Sequence, residues 1–235
     1  MKKTISDTGK KQAPQRYLLL DALRGFAVFL MIFFHLAYDL NLFRFIRIDI
    51  FKDPFWFGLP RLIVSLFLIC MGISLAIVHK AGIKWHLVKK RLFIIGGWAA
   101  VITGVTYFLF PKSYVYFGIL HCIAVSSLMG VFFVNRPKLS LLIGLALVAS
   151  NIIVKPRLLP ISGWLEINPM DYVPLYPWFG LVLIGIFLEH IRFPQIPLKE
   201  NLFLKPFVFM GRHALILYII HRPVLYGAVF AFYKL

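Results

Sequence analysis

Acidic residues are scarce in this chain: nine Asp and Glu stand against 26 Lys and Arg. Charge of either sign is also short, at 15% of residues, where soluble domains carry roughly 25%. That shortage excludes a soluble globular domain and a disordered chain. Cysteine is nearly absent, with Cys70 and Cys122 both inside apolar runs. No disulfide framework follows from two such residues, and neither has metal-ligand spacing. The seven histidines form no HExxH motif and no i,i+4 pair, so no metal site is expected. Internal repeats and long linkers are missing too.

What the chain has is apolar length. It is 60% hydrophobic over 235 residues, with a mean hydropathy of +0.83. At roughly 20 apolar residues per bilayer span, that fills about seven spans. The runs are long and unbroken, which excludes the short alternating segments of a transmembrane barrel. The expectation is an all-α, polytopic bundle of about seven transmembrane helices in the cell membrane. The spans fall at about 18–40, 57–78, 92–110, 115–134, 139–154, 175–190 and 207–232. Residues 1–17 read as a basic cytoplasmic tail, and 18–235 as a single transmembrane domain. The first run carries Asp21 and Arg24 and has no small-residue cleavage site, so it reads as a retained helix and not a signal peptide.

A net charge of +17 in a soluble protein would point to nucleic acid. In a membrane protein it orients the chain, and no nucleic acid partner is expected. Fifteen Lys and Arg fall in the N-tail and the even-numbered loops, and seven on the other side. The N-terminus is therefore expected inside. Five of the nine acids, Asp39, Asp49, Asp53, Glu166 and Asp171, lie on or beside the two long outer loops, 41–56 and 155–174.

Ionisable residues inside the spans are concentrated in the first, second, fourth and seventh. A charge at bilayer depth costs roughly 2.5–3.5 kcal/mol on insertion scales, so such groups face the bundle interior or water. A polar cavity walled by those four spans is expected. On span one, Asp21, Arg24, Val28, His35 and Asp39 fall within about 60° of one another. Arg24 lies near the cytoplasmic end and His35 about 16 Å further along. His35 and Asp39 stand at i and i+4, where a carboxylate can orient an imidazole that acts as general base. Asp21 and Arg24 also fit a structural ion pair at the helix start.

Span seven offers His213, His221 and Arg222, with the histidines about 80° apart and Pro223 as a source of a kink. Span four offers His121, either as a site residue or as an interhelical hydrogen-bond partner. Arg61 in span two is a substrate contact or an ion-pair partner of Asp39 or Asp53. Asp171 and Trp178 sit in a proline- and aromatic-rich stretch on the outer side, where sugars meet carboxylates and aromatic faces. Lys89, Lys90 and Arg91 lie on an inner loop.

Certain motifs add a resemblance. Leu20-Asp21-Ala22-Leu23-Arg24-Gly25-Phe26-Ala27, continuing to His35, resembles the opening helix of acyltransferase-3 membrane proteins. Tyr218-Ile219-Ile220-His221-Arg222-Pro223 is similar to their last-helix signature. Over residues 16 to 228 the likeness is closer to the bacterial heparan-α-glucosaminide N-acetyltransferase-like domain. It is carried by Gly72-Ile73-Ser74-Leu75, Gly118-Ile119-Leu120-His121 and the stretch from Pro174 to Gly185.

The resemblance implies transfer of an acetyl group from cytosolic acetyl-CoA to a hydroxyl or amine of an extracytoplasmic sugar or glycan. Acetyl-CoA is then the donor, Arg24, Asp21, Lys89, Lys90 and Arg91 its contacts, and His35 and Asp39 the catalytic pair. Arg61, His121, Asp171, Trp178, His213, His221 and Arg222 contact the acceptor. Two departures stand out. Acyltransferase-3 proteins have about ten spans. The lysosomal branch places its working His in the first lumenal loop, whereas this chain has Lys52-Asp53-Pro54-Phe55 in that region and no His between residues 36 and 78. Either His35 takes that role, as base or as acetyl carrier, or the chemistry differs.

The rival class is a small transporter or channel with a histidine proton relay. Against it, the sequence shows no inverted repeat and no matched pair of broken helices. A membrane scaffold would leave the stacked polar residues of span one unexplained. The partners expected are the bilayer, acetyl-CoA and a glycan, with self-association left open.

Overall fold

The computed structural model describes residues 17–50, 52–154, 170–199 and 201–234. Apart from Tyr17, the basic tail lies outside these residues, as does Glu166. The described residues form helices and no strand. In chain order these are α1 (Leu18–Leu42), α2 (Pro54–His79), α3 (Trp85–Leu109), α4 (Ile119–Gly130), α5 (Pro137–Val154), α6 (Leu175–His190), α7 (Lys205–Arg212) and α8 (Ala214–Lys234). A 3₁₀ turn, Val131–Phe133, extends α4. Helices α1, α2, α3 and α8 are long and apolar enough to cross a membrane, while α4, α5 and α6 are shorter apolar helices. Their outward faces are studded with large apolar side chains, Phe93 and Phe108 being more than four-fifths exposed. That surface suits lipid and not water.

Local chemistry sets the helix boundaries. Helix α2 begins at Pro54, three residues earlier than its apolar run predicts. The Asp53 carboxylate accepts from the Phe55 and Trp56 N–H groups, and Pro54 occupies the first turn. The largest departure concerns the last span, expected unbroken over 207–232. It is two helices, interrupted at His213 (φ −110°, ψ 19°). Pro223 lies inside α8 without ending it.

A close crossing lies beside the break. A Cβ on Gly25 would overlap the Phe207 carbonyl oxygen, and one on Gly211 would overlap the Asp21 carbonyl oxygen. Helix α7 therefore touches α1 backbone to backbone, and the chain leaves helical geometry at His213 before α8 continues along α1. Small residues at such contacts are what packing between apolar helices favours.

Helix α2 runs beside α1 in the opposite direction, since Leu59 and Ile63 pack on Val28 and Met31, and Cys70 and Ile73 on Leu20. Its other side meets α6 in the main core, built on Leu68, Met71, Leu75, Val182, Leu183 and Ile186. Helix α5 lies on α6 at Gly144 and Gly180, where Ser140 donates to the Leu183 carbonyl at 2.7 Å. Helix α3 rests on α4 and buries only Val88 and Ala99 among its residues. At one end of α2 and α6, Lys80 reaches the buried Glu189 at 2.9 Å.

The α2–α6 contact rests on Gly72 and Gly185, whose backbones touch. A Cβ on Gly185 would lie 3.1 Å from the Gly72 Cα and overlap the Ile69 carbonyl oxygen. Overpacking of this kind costs about 1–3 kcal/mol, and more where backbone must move. Gly185→Val is expected to lower the melting temperature of the detergent-purified protein by several degrees. Gly96→Val, at a position with no atom within 4 Å of a new Cβ, is expected to leave it unchanged. Equal melting temperatures for the two variants would remove the close glycine contact as a source of stability.

Candidate active site

Two polar clusters sit on α1, one near each end. The first surrounds Arg24. Its Nη2 donates to Ser74 Oγ at 2.8 Å, and its Nη1 lies 3.4 Å from Asp21 Oδ1 and 3.5 Å from the Gly211 carbonyl. Ser74 passes its own proton to the Cys70 carbonyl at 2.7 Å. The second oxygen of Asp21 lies 3.6 Å from Arg212 Nε. Arg24 thus ties α1 to α2 and to the end of α7, and Asp21 is shared between two guanidinium groups.

Arg91 of α3 interacts electrostatically with Arg24. Its Nε is buried and has no hydrogen-bond partner among the described residues. Lys89 and Lys90 are exposed on the same first turns of α3. This end of the bundle therefore holds clustered positive charge with one unfilled buried donor.

The second cluster lies further along α1, where α8 packs beside it. Asp39 is fully buried, and its Oδ1 accepts from Arg222 Nη1 at 2.8 Å. The carboxylate expected on His35 is thus taken by a residue of another helix. His35 faces a different partner, the imidazole of His221, with ring centroids 4.9 Å apart. His221 is buried, and its Nδ1 lies 2.6 Å from the Tyr218 carbonyl, which leaves Nε2 as the free nitrogen. Three buried polar atoms lack partners here: His35 Nδ1, His221 Nε2 and Asp39 Oδ2. Buried polar groups are nearly always satisfied, so three such atoms together make this the candidate site.

The other sequence candidates go elsewhere. Arg61 is exposed and serves its own helix: its Nη1 donates to the Phe57 carbonyl and its guanidinium lies 3.6 Å from the Phe57 ring centroid. It pairs with neither Asp39, which is held by Arg222, nor Asp53, which caps α2. His213 is exposed at the α7–α8 break and turns its Nδ1 to the Phe209 carbonyl at 2.9 Å. It does not share a wall with His221.

His121 uses both ring nitrogens, at 3.3 Å from the Gly118 N–H and 3.3 Å from Thr103 Oγ1. That binds α4 to α3. Asp171 accepts from the Ile119 N–H at 3.1 Å and so caps α4. Burial raises its carboxyl above the ordinary range, and the Ile119 N–H opposes that shift. The segment around it is laced to the approach of α4, with Met170 N–H on the Ser113 carbonyl and Val173 N–H on the Phe117 carbonyl. Trp178 packs against the α2–α6 core.

Sequence reasoning passed over Ser74 and Tyr218. A serine in the apolar run of α2, inside the Gly72-Ile73-Ser74-Leu75 motif, was the available signal for the first.

The family model for the heparan-alpha-glucosaminide N-acetyltransferase catalytic domain matches residues 16–223. The chain belongs to that family. Neither the comparison with curated proteins nor that with solved structures gives a match. The matched span of the N-acetyltransferase family runs from just before α1 through Pro223, so it takes in both polar clusters, from Asp21 to Arg222. Family membership implies an acetyltransferase, and the long apolar helices make it a membrane protein.

Proposed function

We propose that this acetyltransferase moves an acetyl group from acetyl-CoA, bound at the Arg24 end of α1, to a hydroxyl or amine of a sugar or glycan at the His35 end. In this reading the helices make seven crossings of the cell membrane with the N-terminus inside, and donor and acceptor reach the bundle from opposite faces. The observation that carries it is the facing pair of imidazoles, His35 and His221, each with a buried ring nitrogen left without a partner.

The donor is a substrate with several negative charges, and the cytoplasmic cluster fits it. Arg24 has spent most of its donors on Ser74, Asp21 and Gly211. The free buried donor is Arg91 Nε, so Arg91 takes the anionic oxygen, with Lys89 and Lys90 adding attraction from the exposed side.

At the other cluster, an unpartnered imidazole nitrogen accepts the proton of the attacking hydroxyl or amine. The new bond forms at the acetyl carbonyl carbon, the carbon–sulfur bond of the thioester breaks, and the imidazolium returns its proton to the departing thiolate. Attack by His35 itself, giving an acetyl-imidazole that the acceptor then relieves, uses the same atoms. The Asp39–Arg222 pair places a neutralised charge beside the imidazoles, and Arg222 follows His221 directly in sequence, so the pair fixes where His221 sits against α1.

The test uses sealed vesicles in which the N-terminus faces a known side. Labelled acetyl-CoA on the N-terminal side with an amino-sugar acceptor on the opposite side is expected to give acetylated sugar. Product formed only when both are supplied on one side would overturn transfer across the membrane.

A further inference from the structure

The two polar clusters of α1 are separated by an apolar stretch of the same helix face. Val28 and Met31 fall within about 60° of Arg24 and His35 around α1, so they stand in the line that joins the clusters. Met31 is one turn, about 6 Å, short of His35. Val28 is fully buried and Met31 is 3% exposed. Leu59 and Ile63 of α2 close over them, and Met210 of α7 and Leu217 and Tyr218 of α8 pack against the same cluster.

A polar row with a packed apolar waist has a physical meaning in a bilayer. Open along its whole length, the row would carry water and ions from face to face. An apolar constriction excludes water and stops that conduction. The transfer reading makes the opposite demand. It requires the arm that carries the acetyl group to pass from the Arg24 end to His35, about 16 Å along α1, and Val28 and Met31 fill the direct line.

The side chains of the waist differ in stiffness. Val28 and Ile63 are β-branched, which confines χ1 to one strongly preferred rotamer in a helix. Met31 and Met210 are unbranched, with three rotatable bonds each, and they meet the cluster from two different helices. The helices themselves are fastened. Helix α7 lies backbone to backbone on α1 at Gly25 and Gly211, and Arg24 ties α1 to α2 through Ser74. A change of thioether rotamer clears space in the waist without shifting a helix.

We infer that Met31, together with Met210, is a gate that separates the Arg24 end from the imidazoles in the unloaded protein and swings aside for the unbranched, thioester-bearing arm of the donor. The inference rests on the transfer reading above and adds to it the control of donor access to the same site. Met31 is then a barrier and not a contact, and rates tell the two apart. Removing a contact chiefly raises the dissociation rate and weakens binding. Removing a barrier raises the association and dissociation rates together and leaves the affinity nearly unchanged.

The experiment measures association and dissociation rates on the full chain in neutral detergent, with acetyl-CoA and adenosine 3′,5′-bisphosphate as probes. The second probe carries phosphates but no arm. Met31→Ala is expected to speed both rates for acetyl-CoA by about tenfold, within the range that association rates span among related variants. Met31→Ile keeps the apolar bulk but is β-branched and stiff, and is expected to slow both rates by about tenfold. Neither variant is expected to alter the rates of the armless probe. Leu142→Ala, on the exposed side of α5, is expected to change nothing. If Met31→Ala fails to fold, Met210→Ala carries the test, with both acetyl-CoA rates rising by a smaller factor.

Unaltered acetyl-CoA rates in folded Met31→Ala overturn the gate. So does a faster dissociation with weaker binding and no faster association, which would make Met31 a contact of the bound donor. Equal acceleration of the armless probe also overturns it, because the change would then lie at the Arg24 end. The two readings fail separately. A wild-type chain that binds no acetyl-CoA overturns the donor reading and the gate with it, whereas normal wild-type binding with unaltered rates in the variants overturns the gate alone.

Discussion

His35→Ala is expected to lower the rate of acetyl transfer by about 10²–10⁴-fold, the range in which a positioned general acid–base contributes, while the protein still inserts and folds. The reason for expecting a loss of rate and not of fold lies in what His35 touches. Among the described residues its Nδ1 makes no hydrogen bond, so removing it breaks no polar link between the described helices at that atom. Its ring meets Phe34 and His221 edge-on or tilted, contacts that a neighbouring side chain can partly replace.

His221→Ala should cost less in folding than in rate for the same reason, since its hydrogen bond to the Tyr218 carbonyl stays within α8. Asp39→Asn should harm turnover less than His35→Ala, because the amide still accepts from Arg222. Rate measurements on protein reconstituted in vesicles, with melting temperature as the control for folding, decide the matter. Wild-type turnover in a folded His35→Ala protein would sink the assignment.

The second large effect concerns stability. Arg222→Ala leaves Asp39, which is fully buried, without the cation that pairs with it among the described residues. Breaking a buried pair by removing one partner costs about 3–5 kcal/mol, chiefly through the stranded charge. The Arg222 side chain is 36% exposed, which places this pair at the low end of that range, at about 3 kcal/mol.

The double variant Asp39→Asn/Arg222→Gln removes both charges and is expected to regain most of the lost stability without regaining full activity. A double-mutant cycle on the melting curves gives the coupling directly. A coupling near zero would mean that the ion pair does not fasten α8 to α1.

These expectations depend on a contact between residues 183 positions apart, and that is where the sequence stopped being readable. Hydropathy is a local property, so it located the helices well. The sixth span was drawn at 175–190, and α6 occupies those residues. The first span begins at 18, as α1 does. Two span starts were missed: at Asp53-Pro54, where a cap and not hydropathy decides it, and at α3, which begins at Trp85 and not at 92, so that Lys89, Lys90 and Arg91, expected on a loop, lie in its first turns.

The break at His213 was invisible for a deeper reason. It sits beside the backbone crossing of Gly25 and Gly211, which belongs to neither sequence window alone. The same holds for the site. Periodicity could place Asp39 one turn from His35, but helix geometry says nothing of an arginine on α8 that competes for the carboxylate. It could not tell that Arg61 and His213 satisfy themselves on their own helices, or that His121 and Asp171 are spent on holding α4 in place. The family motifs did name His35, His221 and Arg222. Their meeting across α1 and α8 is a tertiary fact.

Helix α1 runs from Leu18 to Leu42 with no proline inside it, and both polar clusters are anchored to it. The eleven-residue step from Arg24 to His35 therefore acts as a ruler, about 16 Å long at 1.5 Å per residue. A ruler of this kind is also a phase lock. Inserting one residue between the two positions turns the outer cluster by about 100° relative to the inner one, away from α8 or away from Ser74. Length along α1 can thus change only by near-whole turns, so the reach between the Arg24 cluster and the imidazoles is quantised in steps of about 5 Å.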